Sequence, residues 1–233
     1  GIFSVDYCTG GGIPLWHSAC LWGGESAGKS SLSADFIASG QQICWKCFQF
    51  SCDCEAPIHQ KSVLLNIEGT YDPLWCSNIG VDTDELVVVE ADYGEQFADI
   101  AEAALSADDC GLLVVDSLAA LVPGAEMEQS ADDDFYAVQS KLIGRLVRKL
   151  KQRLLREKKR GHPCAILFVN QMRMKIGVPK FVSPDTMPGG FGMKHEFSLL
   201  LKTGKKTLEK TDKEKFIDNA RGDIQTVIRH TFS

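Results

Sequence analysis

Gly23-Gly24-Glu25-Ser26-Ala27-Gly28-Lys29-Ser30-Ser31, entered from the apolar segment Ala19-Cys20-Leu21-Trp22, is the stretch whose reading decides the fold. It fits the pattern G-x-x-x-x-G-K-[ST], a loop in which glycines let backbone N–H groups approach phosphate oxygens. Lys29 is placed to reach the outer phosphates, and the Ser30 hydroxyl is placed to bind Mg²⁺. A helix opening near Ser30 adds its positive dipole end to the same spot. A glycine-rich turn containing lysine is by itself compatible with an exposed loop, so the flanking pattern matters. Ala19 to Trp22 reads as a short strand and Ser30 to Ala38 as a helix, the strand–loop–helix context that the phosphate reading requires.

Working outward, four more apolar runs recur: Val63 to Ile67, Leu86 to Val89, Leu112 to Val115 and Ala165 to Val169. Each is short, rich in β-branched residues and followed by polar ones, as in strands buried on both faces. Helical patterns at Gly94 to Ser106 and Asp134 to Lys159 lie between them. This alternation predicts an α/β fold with a mainly parallel central sheet and helices on both faces. Along the longer helix Leu142, Leu146, Leu150 and Leu154 form an apolar stripe. The many Lys and Arg residues around it read as a solvated outer face in preference to a nucleic-acid surface.

The chain has 233 residues, 44% hydrophobic and 24% charged, enough to bury the core of one α/β domain. A formal net charge of −6 means that any nucleic-acid contact must come from a local basic surface and not from the overall field. No apolar stretch approaches the roughly 20 residues needed to span a bilayer, so no membrane partner and a cytoplasmic location are expected. Nine cysteines in a chain of this kind point to free thiols or a metal site, not to a disulfide framework.

Two carboxylates stand at predicted strand ends. Leu112-Leu113-Val114-Val115-Asp116 is a buried strand closed by an acid, the arrangement that holds Mg²⁺ beside a phosphate loop. Glu68 follows Asn66-Ile67 and is a candidate for orienting or deprotonating an attacking water; standing alone it reads in preference as a charge that ends a strand.

Taken together, four stretches resemble the RecA recombinase family: Gly23 to Ser30; Asn66-Ile67-Glu68 with Tyr71-Asp72-Pro73-Leu74-Trp75; Leu113 to Pro123; and Val169-Asn170-Gln171-Met172-Arg173-Met174-Lys175-Ile176-Gly177. They occur in that family's order. The resemblance implies a RecA-like P-loop NTPase core spanning 1–233, with ATP and Mg²⁺ as cofactors. It implies Lys29, Glu68 and Gln171 as catalytic residues, Ser30 and Asp116 as Mg²⁺ ligands, Trp75 against adenine and Asp72 near the base. Gln171 would sense the terminal phosphate and pass the signal to a mobile DNA loop over 174–195, with Arg173, Lys175, Gly189, Gly190 and Lys194 as DNA contacts. A first DNA loop would lie at 124–134.

The chain also departs from that family. Residues 44–60 form an insertion after the phosphate-loop helix, carrying Cys44-Trp45-Lys46-Cys47 and Cys52-Asp53-Cys54. Four thiols in a C-x₂-C-x₄-C-x-C pattern suit a tetrahedral Zn²⁺, with His59 as an alternative ligand; the competing reading is reduced cysteines in a loop. The resemblance leaves no clear N-terminal polymerisation helix or C-terminal duplex-binding domain, which suggests a compact or trimmed version. Arg229 stands where the family places one of two lysines contributed across a subunit interface.

The expected function is an ATP-dependent recombinase that forms a helical filament on single-stranded DNA and pairs it with homologous duplex DNA. A ring-forming helicase motor and a non-catalytic ATP-binding regulator are the alternatives. The joint presence of Lys29, Glu68, Asp116 and Gln171 argues against the regulator.

Overall fold

The structure is a computed structural model that describes residues 3–124, 136–174, 185–189 and 191–204. After a short helix α1 (Phe3–Thr9), strand β1 (Ser18–Gly23) leads through the glycine loop into α2 (Lys29–Gln42). There follow β2 (Lys61–Asn66), α3 (Pro73–Ile79), β3 (Leu86–Val89), α4 (Gly94–Ser106), β4 (Cys110–Asp116), α5 (Tyr136–Arg160) and β5 (Ala165–Gln171). A two-residue ribbon of β6 (Arg173–Met174) and β7 (Asp185–Thr186) precedes β8 (Leu199–Thr203). Six strands form one sheet in the order β3-β2-β4-β5-β1-β8, every pairing in it parallel.

The expected architecture is present, because strands buried on both faces alternate their side chains between two cores. Cys20 and Trp22 of β1 with Leu113 and Val115 of β4 face α4 and α5. Ala19 and Leu21 with Leu112 and Val114 face α2 and α3, represented by Leu32, Ile37 and Cys76. Burying a Leu- or Val-sized side chain contributes about 1.5–3 kcal/mol, so two such layers drive the collapse onto the sheet. The leucine stripe of α5 lies inside the first layer, with Leu142, Leu146, Leu150 and Leu154 all buried. Several of its basic residues are held in ion pairs: Lys149 Nζ stands 2.8 Å from Asp99 and 2.9 Å from Glu102 of α4, Lys151 pairs with Glu196, and Arg153 and Arg160 pair with Glu157 of the same helix.

The phosphate-loop helix is longer than the sequence pattern suggested. Gln42 ends it, and Ile43 turns to extended backbone with its N–H bonded to Ser39 O. The apolar strand β8 was not among the runs singled out; it pairs with β1 and is the last strand on that side among the described residues. Its last residue sets a demand on the loop: a Cβ at Gly23 would run into the backbone and side chain of Thr203, so only glycine fits where β1 enters the loop.

All the strands of a parallel sheet end on the same edge, and ligands bind outside that carboxyl edge where strand order reverses. Here β1, β2, β4 and β5 deliver Gly23, Asn66, Asp116 and Gln171 to it. Among the described residues, no helix is long and apolar enough to cross a membrane.

Candidate functional site

The loop 23–31 wraps a cleft of about 450 Å³ lined by Glu25, Ser26, Ala27, Gly28, Lys29, Ser30, Ser31, Glu68, Thr70 and Gln171. Gly28, which precedes the first turn of α2, has φ 81°, a left-handed conformation that glycine adopts without strain. Its carbonyl accepts from Leu32 N–H at 3.0 Å, the first bond of the helix, so the earlier amides of the turn have no intrahelical acceptor. Lys29 is only 9% exposed, and its ammonium donates to Gly24 O at 2.8 Å, folding back over the loop. Gly24 sits in open contact, with only Met172 Cε near an added Cβ, at 3.8 Å.

Asp116 does not line this cleft itself but stands beside it, within reach of Ser30, Lys29 and Glu68. It is 7% exposed, and its Oδ1 is buried without a hydrogen-bond partner. Burial, followed by the negative charge of Glu68, pushes its carboxyl up to about 6, while the Ser30 hydroxyl and the Lys29 ammonium pull the other way. An unpartnered buried carboxylate oxygen beside a serine hydroxyl, with a second carboxylate close by, is a donor set that fits a divalent cation. Ser30 and Asp116 also border the smaller cavity, of about 40 Å³, that continues to Thr70, Tyr71, Asp72, Trp75 and Cys76.

On that side, Asp72 is the N-cap of α3. Its Oδ1 accepts from Leu74 N–H at 2.9 Å and from Trp75 N–H at 3.1 Å, and Pro73 occupies the first helical position. The cap leaves Trp75 on the surface, 54% exposed, beside the cleft. Asn66 holds the intervening turn: its Oδ1 accepts from Thr70 N–H at 3.1 Å and Tyr71 N–H at 3.2 Å, and its Nδ2 donates to Glu90 at 3.0 Å. Neither Thr70 nor Glu90 carries a sequence signal that singles it out; both matter here through contacts made across the sheet edge.

Glu68 and Gln171 come from strands separated by β4 and meet across the cleft, with Gln171 Nε2 donating to Glu68 Oε1 at 2.9 Å. Two residues beyond Gln171, Arg173 is exposed and pairs with Thr186 in the β6–β7 ribbon. Met172 N–H donates to Gly23 O at 2.8 Å, tying the root of that ribbon to the phosphate loop itself. Gly189 follows the ribbon with φ 103°, and a Cβ there would meet Met193 at 2.5 Å and Ile143 at 3.0 Å. Lys194 is exposed, its ammonium 5.0 Å from the centre of the Trp22 ring. Lys175, Gly190 and the rest of 175–184 in the loop expected over 174–195, the loop at 124–134 beyond its first residue, and Arg229 lie outside the described residues.

Away from the cleft, the sulfur atoms of Cys44, Cys47, Cys52 and Cys54 all lie within 4.8 Å of one another. Burial resists ionisation of Cys44, but the backbone N–H groups of Cys47, Ile58 and Lys46 and the Cys52 thiol outweigh it and bring the thiol down to about 6. Hydrogen bonding to Cys47, then burial and the neighbouring thiolate charges, push Cys54 up to about 12. Four thiols this close ionise together only around a cation. The set fits a thiophilic metal: four sulfurs about 2.3 Å from a tetrahedral Zn²⁺ are about 3.8 Å apart.

A parallel sheet with a glycine phosphate loop after one central strand, a carboxylate at the end of another, and a glutamate and an amide facing across the cleft define a P-loop NTPase core. The chain belongs to the RecA family: residues 1–229 match the RecA N-terminal domain. It is similar to "Protein RecA" of Roseiflexus sp. (strain RS-1), 31% identical over 228 residues, which covers 94% of this chain and 59% of that protein. It is also similar to "Protein RecA" of Haemophilus ducreyi, 32% identical with 86% and 49% of the two chains covered, and of Aquifex pyrophilus, 35% identical with 83% and 50% covered. The chain thus spans between 49% and 59% of the length of these relatives.

Proposed function

We propose that this chain is the ATPase core of a DNA recombinase, which binds ATP and Mg²⁺, assembles head to tail on single-stranded DNA, and pairs that strand with homologous duplex DNA in recombination and repair. The observation that carries this reading is the Gln171–Glu68 hydrogen bond of 2.9 Å, which joins the phosphate cleft to the strand running into the Arg173 ribbon. With phosphate in the cleft, the Gln171 amide has a competing acceptor. Its release from Glu68 shifts the start of the ribbon, a local exchange of partners that biases a DNA-contacting segment. Freed from Gln171, the Glu68 carboxylate orients the attacking water and takes its proton.

In this reading Lys29 exchanges the Gly24 carbonyl for phosphate oxygens, and the loop amides of 24–29 bind the remainder. Ser30 and Asp116 hold Mg²⁺, which when bound neutralises charge on the phosphates. Trp75 stacks on adenine, with Asp72 near the base. Arg173, Lys175, Gly189, Gly190 and Lys194 contact the DNA. A head-to-tail interface that does not close on itself produces a helical filament. A Zn²⁺ in the four-thiol cluster and a cytoplasmic location belong to the same reading.

The test is ATP turnover with and without single-stranded DNA, with DNA affinity measured over a range of salt. DNA is expected to raise turnover, and Arg173→Ala with Lys175→Ala to weaken binding and flatten its salt dependence, since each lost phosphate contact removes about one unit of slope. Equal turnover with and without DNA, together with unchanged DNA binding by the double variant, refutes the proposal.

A further inference from the structure

We infer that the Cys44–Cys54 segment is a Zn²⁺-bound tetrathiolate knuckle that acts as a positioning brace, wedging Trp45 between the far end of the phosphate-loop helix and the strand that carries Asp116. The zinc itself rests on the reading given above; the brace goes beyond it.

Three observations place the wedge. The Trp45 indole N–H donates to Gly40 O, in the last turn of α2, at 2.8 Å. On its other side the ring lies on Gly111 at the start of β4, where an added Cβ would fall 2.5 Å from Trp45 Cζ2. The ring is 5% exposed although it comes from an insertion whose neighbours Phe48 and Phe50 are 43% and 54% exposed. From within the insertion, Phe48 meets the Trp45 ring edge-on with centroids 6.3 Å apart, but Phe48 is itself 43% exposed and gives the tryptophan only partial cover.

The knuckle supplies the missing constraint. Cys44 N–H donates to Gln49 O at 3.0 Å, and Phe48 N–H to Cys44 O at 2.7 Å, a tight turn around the first two thiols. Phe48, directly after Cys47, has φ 59°, the left-handed region that a bulky residue adopts only when its surroundings enforce it. The second pair returns from Cys52 and Cys54, and Trp45 N–H donates to Ile58 O at 2.7 Å, closing the insertion on itself. A metal shared by all four sulfurs ties the turn that carries Trp45 to the returning Cys52–Cys54 segment. Both elements that Trp45 touches end at the nucleotide cleft: α2 begins at Lys29 and β4 ends at Asp116. The brace therefore sets the relative position of Ser30 and Asp116 from the opposite ends of their elements.

Zinc content is measured on the full chain purified with a thiol reductant, by elemental mass spectrometry, alongside thermal unfolding before and after chelation. About one Zn²⁺ per chain is expected, falling below about a tenth in Cys47→Ser with Cys52→Ser. Removing the metal from wild-type protein is expected to lower Tm by about 5 °C or more, and to red-shift an emission component that Trp45→Phe lacks. Should the double variant fail to fold, Co²⁺ added to the metal-stripped wild type decides: the visible spectrum of tetrahedral thiolate coordination supports the site, and its absence overturns it. A folded, reduced chain with less than about a tenth of an equivalent of zinc overturns the metal, and an unchanged Tm on its removal overturns the brace. Lys29→Ala separates this from the functional reading: it is expected to lose ATP binding and keep its zinc. Zinc with no ATPase activity in the wild type counts against the recombinase alone, whereas ATPase activity without zinc counts against the knuckle alone.

Discussion

Replacing Asp116 by asparagine is expected to stabilise the ligand-free protein while abolishing its use of Mg²⁺. The carboxyl is buried, and burial together with Glu68 raises it from an ordinary 3.8 to about 6. A group with a raised folded-state pKa holds its proton more tightly in the native chain than in the unfolded one. Stability is therefore greatest below about pH 4 as far as this group is concerned, and is lost as pH climbs through 6. A shift of about two units at 1.36 kcal/mol each gives a cost of about 3 kcal/mol at pH 8, the upper limit of what a neutral isostere can recover. Urea unfolding of the wild type and Asp116→Asn, without nucleotide or metal, measures this directly. The variant is expected to gain about 2–3 kcal/mol at pH 8 and almost nothing at pH 4, with Mg²⁺-dependent ATP binding lost. A variant no more stable than the wild type at pH 8, or equally stabilised at both pH values, would refute the argument that the cleft is built at the expense of stability.

Two further substitutions probe the framework. Gly111→Ala forces a Cβ to within 2.5 Å of the Trp45 ring and 2.7 Å of Gln60 Oε1, so a loss of about 1–3 kcal/mol by urea titration is expected. Glu157→Ala removes the fully buried carboxylate that Arg153 and Arg160 each approach at 2.7 Å, and His162 Nδ1 at 3.2 Å. With Arg153 only 18% exposed, the orphaned charge is expected to cost about 3 kcal/mol, and a melting temperature within a degree or so of wild type would contradict it.

Most of the sheet was legible because its strands are buried on both faces and read as continuous apolar runs. The phosphate-loop helix was legible at its start, where glycines and Lys29 mark it, and not at its end, where Gln42 and Ile43 carry no capping residue. Strand β8 was not singled out: its apolar run, Leu199-Leu200-Leu201, is only three residues long before Lys202, and no loop motif introduces it. The leucine stripe of α5 had a period that left one reading, whereas its basic residues left two, and ion pairs with α4 are what occupy Lys149. Among the site residues, Asp116 and Glu68 could be named as strand-end carboxylates, and Ser30 could be set beside Asp116, but the bond from Gln171 to Glu68 was not legible. Thr70 and Glu90 take their importance from Asn66, whose side chain reaches both.

By itself, the sequence of this protein determined what is local: a phosphate loop after a strand, acids at strand ends, four thiols in one short segment. Each depends on the spacing of neighbours along the chain, which covalent geometry preserves. The tertiary structure alone decided what is shared between distant segments. Parallel strands must be joined by crossovers, so the sheet order that sets Glu68 opposite Gln171, and Asp116 below Ser30, follows from packing and not from chain order. The same packing buries Trp45 against Gly40 and Gly111, and so connects a cysteine cluster that reads as an isolated loop to the helix that begins at Lys29 and the strand that ends at Asp116.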